Sequence, residues 1–186
     1  MTKRASVGVL IVVLLAGAAV LWVEYGQRGL ETQDAAVAVG PGYEVPVPPD
    51  FAVVTDEEIL ATTGSKESVV LVRKARTDGQ FLATIAIVPV PIAPGDNPTD
   101  DAACRASIQG IEEASGATLG RVGMVTVGSN RVCQYALTDE KSSQAATGTV
   151  MRAGQRSFAV TCNRDQRDEA VTRACDAVLA GWRVKP

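Results

Sequence analysis

The chain has no histidine in 186 residues, and that absence removes more chemistry than anything present adds. Histidine is the side chain that titrates near neutral pH, the commonest metal ligand and the base of every Ser-His and Cys-His arrangement. Aromatic residues make up only 4% of the chain, which argues against surfaces that stack sugars or unpaired bases. No C-x-x-C pair occurs, so neither a zinc ribbon nor a thioredoxin-like redox motif is written here. The Gly-rich pieces VGPG and GRVG lack the lysine and the strand-loop-helix frame of a phosphate loop and read as turns. Blocks of one charge sign are missing too. Setting aside Lys3 and Arg4 leaves 16 basic against 21 acidic residues, about −5 and well interspersed, the opposite of a nucleic-acid-binding face.

What is present first is a run without charge, Val7 to Val23, VGVLIVVLLAGAAVLWV. As a helix it spans roughly 25 Å, slightly short of a hydrocarbon core but workable with modest thinning. Lys3 and Arg4 precede it and Glu24 follows, a bias that keeps residues 1–6 in the cytoplasm and predicts a single-pass signal anchor with the rest of the chain exported. Trp22 and Tyr25 stand where interfacial anchors collect. The rival is a cleaved signal peptide with Ala16-Gly17-Ala18 as its processing site; it exports the same domain. No cysteine follows the run to receive a lipid.

Residues 24–49 lack a sustained helical period and end in Pro46, Pro48 and Pro49, which predicts an extended spacer between membrane and domain. A short strand or helical turn at Ala35 to Val39 is the alternative. Residues 50–186 then form one domain of ordinary size, able to bury a core without a cofactor or metal.

Within it, Thr55-Asp-Glu-Glu58 fits a capping box opening a short helix that stops at Gly64. Ser68 to Arg76 and Gln80 to Val88 are β-branched runs around Thr77-Asp78-Gly79 and predict a hairpin. The four prolines of Pro89 to Thr99 predict a long connection rather than a strand. Thr99 is then placed as the N-cap of an amphipathic helix carrying Cys104, Ile108 and Ile111, closed by Gly116. Four strands follow, Leu119 to Val127, Arg131 to Thr138, Ala145 to Arg152 and Arg156 to Asn163, linked by short polar turns into a meander. Cys133, Tyr135 and Leu137 share one face of the second of these; Phe158, Val160 and Cys162 share one face of the fourth. Gln166 to Trp182 predicts a closing helix with Val171, Ala174, Cys175, Val178, Leu179 and Trp182 on one stripe. The fold class is α+β: a single antiparallel sheet of about six strands flanked by helices, preceded by the transmembrane helix.

The closing strand SFAVTCN and the terminal helix ending in AGWRV, together with this order of elements, resemble the Mog1/PsbP/LpqN-like domains over Asp50 to Pro186. The resemblance implies an α/β/α sandwich with a central antiparallel sheet, serving as a binding or accessory module.

Four cysteines, Cys104, Cys133, Cys162 and Cys175, are an even set in a domain expected to meet an oxidising envelope, so two disulfides are expected. Three pairings are open. The favoured one joins Cys162, at a strand end, to Cys175 in the helix that follows, leaving Cys104 with Cys133. Four buried free thiols is the other reading, and a zinc site would need unusually wide spacing.

Adjacent acids occur at Asp100-Asp101, Glu112-Glu113 and Asp139-Glu140, but neighbours on a helix do not face each other, so they read as caps, turns and solvated surface. Arg73, Lys74 and Arg76 near one turn, and Arg152 with Arg156 near another, would meet an anionic partner or lipid headgroup if the two turns lie together, and are otherwise solvated strand ends. Ile92, held between prolines, is a candidate docking residue. The expectation is a membrane-anchored, exported, non-catalytic module of a bacterial-type cell envelope, with a protein or envelope-component partner and no nucleic acid, metal or cofactor. The alternative is an exported hydrolase in which separated acids such as Glu112 and Asp139 converge.

Overall fold

A computed structural model describes residues 32–55, 65, 67–73, 83–90, 98–115, 118–139, 144–165 and 168–185. The run Val7–Val23, the capping box at Thr55 to Glu58, the turn Thr77-Asp78-Gly79 and the loop 91–97 lie wholly or partly outside these residues. Among the described residues no helix is long and apolar enough to cross a membrane.

The six strands expected from alternation are all present, as β5 (Val69–Arg73), β6 (Ala83–Val90), β7 (Thr118–Val127), β8 (Asn130–Asp139), β9 (Gln144–Ala153) and β10 (Arg156–Asp165). Two more, β1 (Thr32–Gln33) and β4 (Phe51–Val54), extend the sheet to eight strands in the order β1-β4-β5-β6-β10-β9-β8-β7, every pair antiparallel. The sheet is therefore larger than the six strands read from the sequence. From β6 the chain passes through α1 (Asp101–Ser115) to the far edge, and the meander β7-β8-β9-β10 walks back until β10 lies beside β6.

Register decides which helix covers which face. Val160 stands opposite Ile87 on one side and Thr149 on the other, so Phe158, Val160 and Cys162 share a face with Ile85 and Ile87. Thr161, facing the other way, pairs with Gly148, which pairs in turn with Tyr135. Helix α2 (Glu169–Ala180) buries Val171, Cys175, Val178 and Leu179 in the cluster that contains Phe158 and Val160. Helix α1 sets Ile108 against Tyr135 and Leu137 on the opposite face. The result is an α/β/α sandwich.

Each of the two described helices is capped by an aspartate. Asp168 caps α2, its Oδ1 accepting from the amides of Ala170 and Val171 at 3.1 and 3.3 Å. The cap of α1 is Asp100, one residue beyond the expected Thr99: its Oδ1 accepts from Ala103 N at 2.8 Å while its carbonyl accepts from Cys104 N. Both residue types cap well, and the aspartate adds its charge at the positive end of the helix dipole.

Two departures from expectation concern proline. Strand β6 continues through Pro89 to Val90, opposite Phe158 and Ser157. The pairing of β5 with β6 ends at Val69 and Ile87, so beyond that point β6 is bonded on one side only, the edge-like setting that tolerates a missing amide. More consequentially, residues 32–49, read as part of an extended spacer, hold β1, β2 (Val37–Gly40) and β3 (Tyr43–Pro46). Strands β2 and β3 form a hairpin around Pro41-Gly42, and β11 (Arg183–Val184) joins β3 from the end of the chain, making a second sheet in the order β11-β3-β2. Gly42 has φ 83°, the value the third position of a type II turn after proline requires.

This small sheet is part of the core. Ala38, Tyr43 and Val45 are buried in the same cluster as Leu71, Ile85 and Phe158. Tyr43 stacks on Trp182 at 4.2 Å and meets Phe158 edge-on at 4.7 Å, and the Trp182 indole donates to the carbonyl of Arg152 at 3.0 Å. Gly40, opposite Tyr43, leaves room for its ring; a side chain there would collide with it.

Candidate functional site

The four cysteines form two bridges, Cys104–Cys133 and Cys162–Cys175, with Cα separations of 5.5 and 6.2 Å. One ties α1 to β8 on the first face, the other ties α2 to β10 on the second. No free thiol is left for nucleophilic or metal chemistry. Among the described residues no group of three or more acids and cysteines is placed to hold a metal ion.

The carboxylates singled out in the sequence have structural partners where they are described. Asp100 caps α1, and Asp101 accepts the amide of Met124 on β7 at 2.7 Å. Asp139 ends β8 and is itself engaged in an interaction. The side chains of Glu112 and Glu113, and the whole of Glu140, fall outside the described residues, so a convergence of Glu112 with Asp139 lies there too.

The basic residues do not form one patch. Arg73 ends β5, where its guanidinium donates to Asp168 Oδ2 at 2.6 Å, both side chains about three-quarters buried. Arg156 pairs with Glu67 at 3.2 Å. Strand register separates them: Thr84 of β6 lies opposite Val72, next to Arg73, whereas Val90 lies opposite Ser157, next to Arg156. The two clusters thus sit at opposite ends of the sheet, roughly 20 Å apart at strand rise. Lys74, Arg76 and Ile92 fall outside the described residues.

Two surface features remain. An open groove of about 440 Å³ runs between Asp34, Ala35 and Ala36 on one bank and Pro48, Asp50 and Phe51 on the other. It brings two carboxylates to a shallow, wide-mouthed surface without a described base. The other feature is the small sheet. Its strands β2 and β11 carry Val37, Val39 and Val184, the large apolar side chains that are exposed among the described residues, at 46%, 60% and 54%. Beside them Glu44 is bracketed by Lys185 at 3.2 Å and Arg183 at 4.0 Å, which leaves that group of three with one net positive charge. The sequence favours a spacer here over the alternative strand at Ala35 to Val39, which β2 largely occupies; the alternation V-A-V before G-P-G is the signal for it.

Helices on both faces of an antiparallel sheet, with the connection β6-α1-β7 crossing to the far edge, define the fold: the α/β/α sandwich that the resemblance to Mog1/PsbP/LpqN-like domains implies. Solved structures bear this out. The chain aligns with cyanobacterial PsbP from Synechocystis sp. PCC 6803 at a TM-score of 0.53 and 14% identity, over 82% of this chain and 95% of that one. It aligns with a mutant form of the protein Mog1 at 0.51 and 12%, over 84% and 96%. A Bacteroides thetaiotaomicron protein aligns at 0.51 and 11% over 83% of this chain, which spans half of that protein's length. At these identities the likeness is one of fold. No family model and no curated relative matches the sequence.

Proposed function

We propose that this protein is a membrane-anchored, exported accessory module that binds a protein or another component of the cell envelope without catalysing a reaction. The observation that carries the reading is the pair of disulfides, one clamping a helix to each face of the sheet. Such bridges persist where the surroundings are oxidising, and the apolar run Val7–Val23 supplies both the route there and the tether. A rigid, doubly clamped sandwich in which Asp100 and Asp168 cap helices and Arg73 and Arg156 are held in ion pairs suits display of a surface. The chain's lack of histidine supports a role without acid-base chemistry.

The test uses the full chain in its native membrane. Alkylation before reduction should label none of the four cysteines, and after reduction all of them. Protease added from outside should degrade the folded domain while sparing an amino-terminal tag. Four thiols reactive at the outset, or a domain protected while the tag is trimmed, would overturn the placement. Crosslinking in the same membranes should recover a specific partner, and recovery of none would count against binding.

A further inference from the structure

Strand β2 is the last strand of the small sheet among the described residues. In the β2-β3 ladder Pro46 has no amide to give, and Val47 N donates to Ala36 O at 3.0 Å. Bonded pairs alternate along an antiparallel ladder, so those linking β2 to β3 are Ala36 with Val47, Ala38 with Val45 and Gly40 with Tyr43. The amides and carbonyls of Val37 and Val39 consequently point away from β3, off the outer edge, and among the described residues no strand lies beyond β2 in its sheet. The side chains of the same two residues are the exposed valines.

The other long edge is guarded. On β7 the register slips between Leu119 and Val122, and the Asp101 carboxylate occupies the amide of Met124, two devices that discourage strand addition. Strands β1 and β11, at the remaining edges, are two residues long. Strand β2 has no charge, no bulge and no internal proline.

We propose that this edge docks the β2 strand of a second copy of the chain, joining two small sheets into one continuous antiparallel sheet. The sequence around Ala38 reads the same in both directions, Val-Ala-Val, so a two-fold axis at Ala38 sets Val37 opposite Val39 of the second copy. Each outward amide then meets an outward carbonyl, and the valines pack across the junction. A lipid surface fits less well, because Arg183 and Lys185 share the one carboxylate of Glu44, and the single net positive charge left over is far short of the basic cluster that anionic headgroups recruit. If the anchor proposed above holds, only eight residues lie between Val23 and Thr32, at most about 30 Å of chain, and two tethered copies would present this edge to each other at raised local concentration.

The experiment uses full-length chains carrying two different tags in one membrane, one V37C and the other V39C, treated with a short bis-maleimide. A two-tag dimer is expected at a yield at least about tenfold above that of V39C mixed with R173C, whose altered position is exposed on α2. Separately, Val39→Pro removes an amide that makes no bond within the fold and should abolish co-purification of two tagged copies. Val39→Lys should do the same by charging the edge, and each variant's thermal unfolding reports whether it is folded. A yield no greater than the control, undiminished co-purification of folded V39P and V39K, or linkage to a different protein would overturn the proposal. Fractionation of the same samples reads the anchor separately: a dimer found in the soluble fraction would sustain the pairing and overturn the tether.

Discussion

Asp168 does two things with one carboxylate. Oδ1 caps α2, while Oδ2 holds Arg73 from the end of β5, so the start of the last helix is pinned to the sheet by a residue distant in sequence. Asn at this position keeps a capping oxygen and loses the ion pair; Ala loses both. Asp168→Ala is therefore expected to cost roughly 1–2 kcal/mol and Asp168→Asn clearly less, read as denaturant midpoints at constant slope. Equal costs would show that the cap contributes nothing. The tyrosines make a second residue-level argument. Burial raises the phenol pKa of both Tyr43 and Tyr135 well above the ordinary 10.0. An unfolded chain releases those protons near pH 10 and the folded one does not, so the stability held by the neutral phenols is complete below pH 10 and declines as pH rises beyond it. Phenolate absorbance of these two residues should appear together with loss of near-ultraviolet ellipticity, not before it. Ionisation near pH 10 in a still-folded protein would contradict the burial.

At the scale of elements, the helices are held by their stripes and by sulfur. The stripe on α2 was legible because Val171, Cys175, Val178 and Leu179 recur at helical spacing, and all four are buried. The bridges close loops with sequence separations of 29 and 13. In the chain-entropy picture the longer loop is worth about 3.6 kcal/mol and the shorter about 3.0. Replacing Cys104 and Cys133 together by Ser should thus destabilise slightly more than replacing Cys162 and Cys175, by 2–5 kcal/mol in either case as an order of magnitude. Calorimetry on both double variants checks the ranking, and a negligible loss from either would mean that packing alone seats that helix. The cap of α1 shows the limit of element-level reading: Thr99 and Asp100 are both capping residues, and only the position of the Ala103 amide chooses between them.

For the molecule as a whole, Trp182 is the joint. It follows α2, stacks on Tyr43 of the small sheet, meets Phe158 of the large one and donates to Arg152. Trp182→Ala should cost about 3–5 kcal/mol. It should also lower hydrogen-exchange protection in β2 and β3 more than in β9, since the small sheet leans on this ring. Uniform loss of protection would show the two sheets to be one cooperative unit instead. The exposed valines belong to this scale too, because they become a surface only once β2, β3 and β11 have assembled.

Alternation of β-branched residues, short turns and two amphipathic stripes determined six strands, both described helices and the α+β class from local order alone, since period and turn chemistry are properties of neighbouring residues. The cysteine count and the elements that carry them favoured the pairing that is found. What only tertiary structure decided is everything that joins distant segments. Residues 32–49 looked like a proline-stiffened spacer because a four-residue strand such as Val37–Gly40 has no stability of its own; it exists because Tyr43 and Val45 find Trp182 and Phe158, over a hundred residues away. The separation of the arginine clusters to opposite ends of the sheet, and the open edge of β2, follow from strand order in the same way, and strand order is a property of the packed chain.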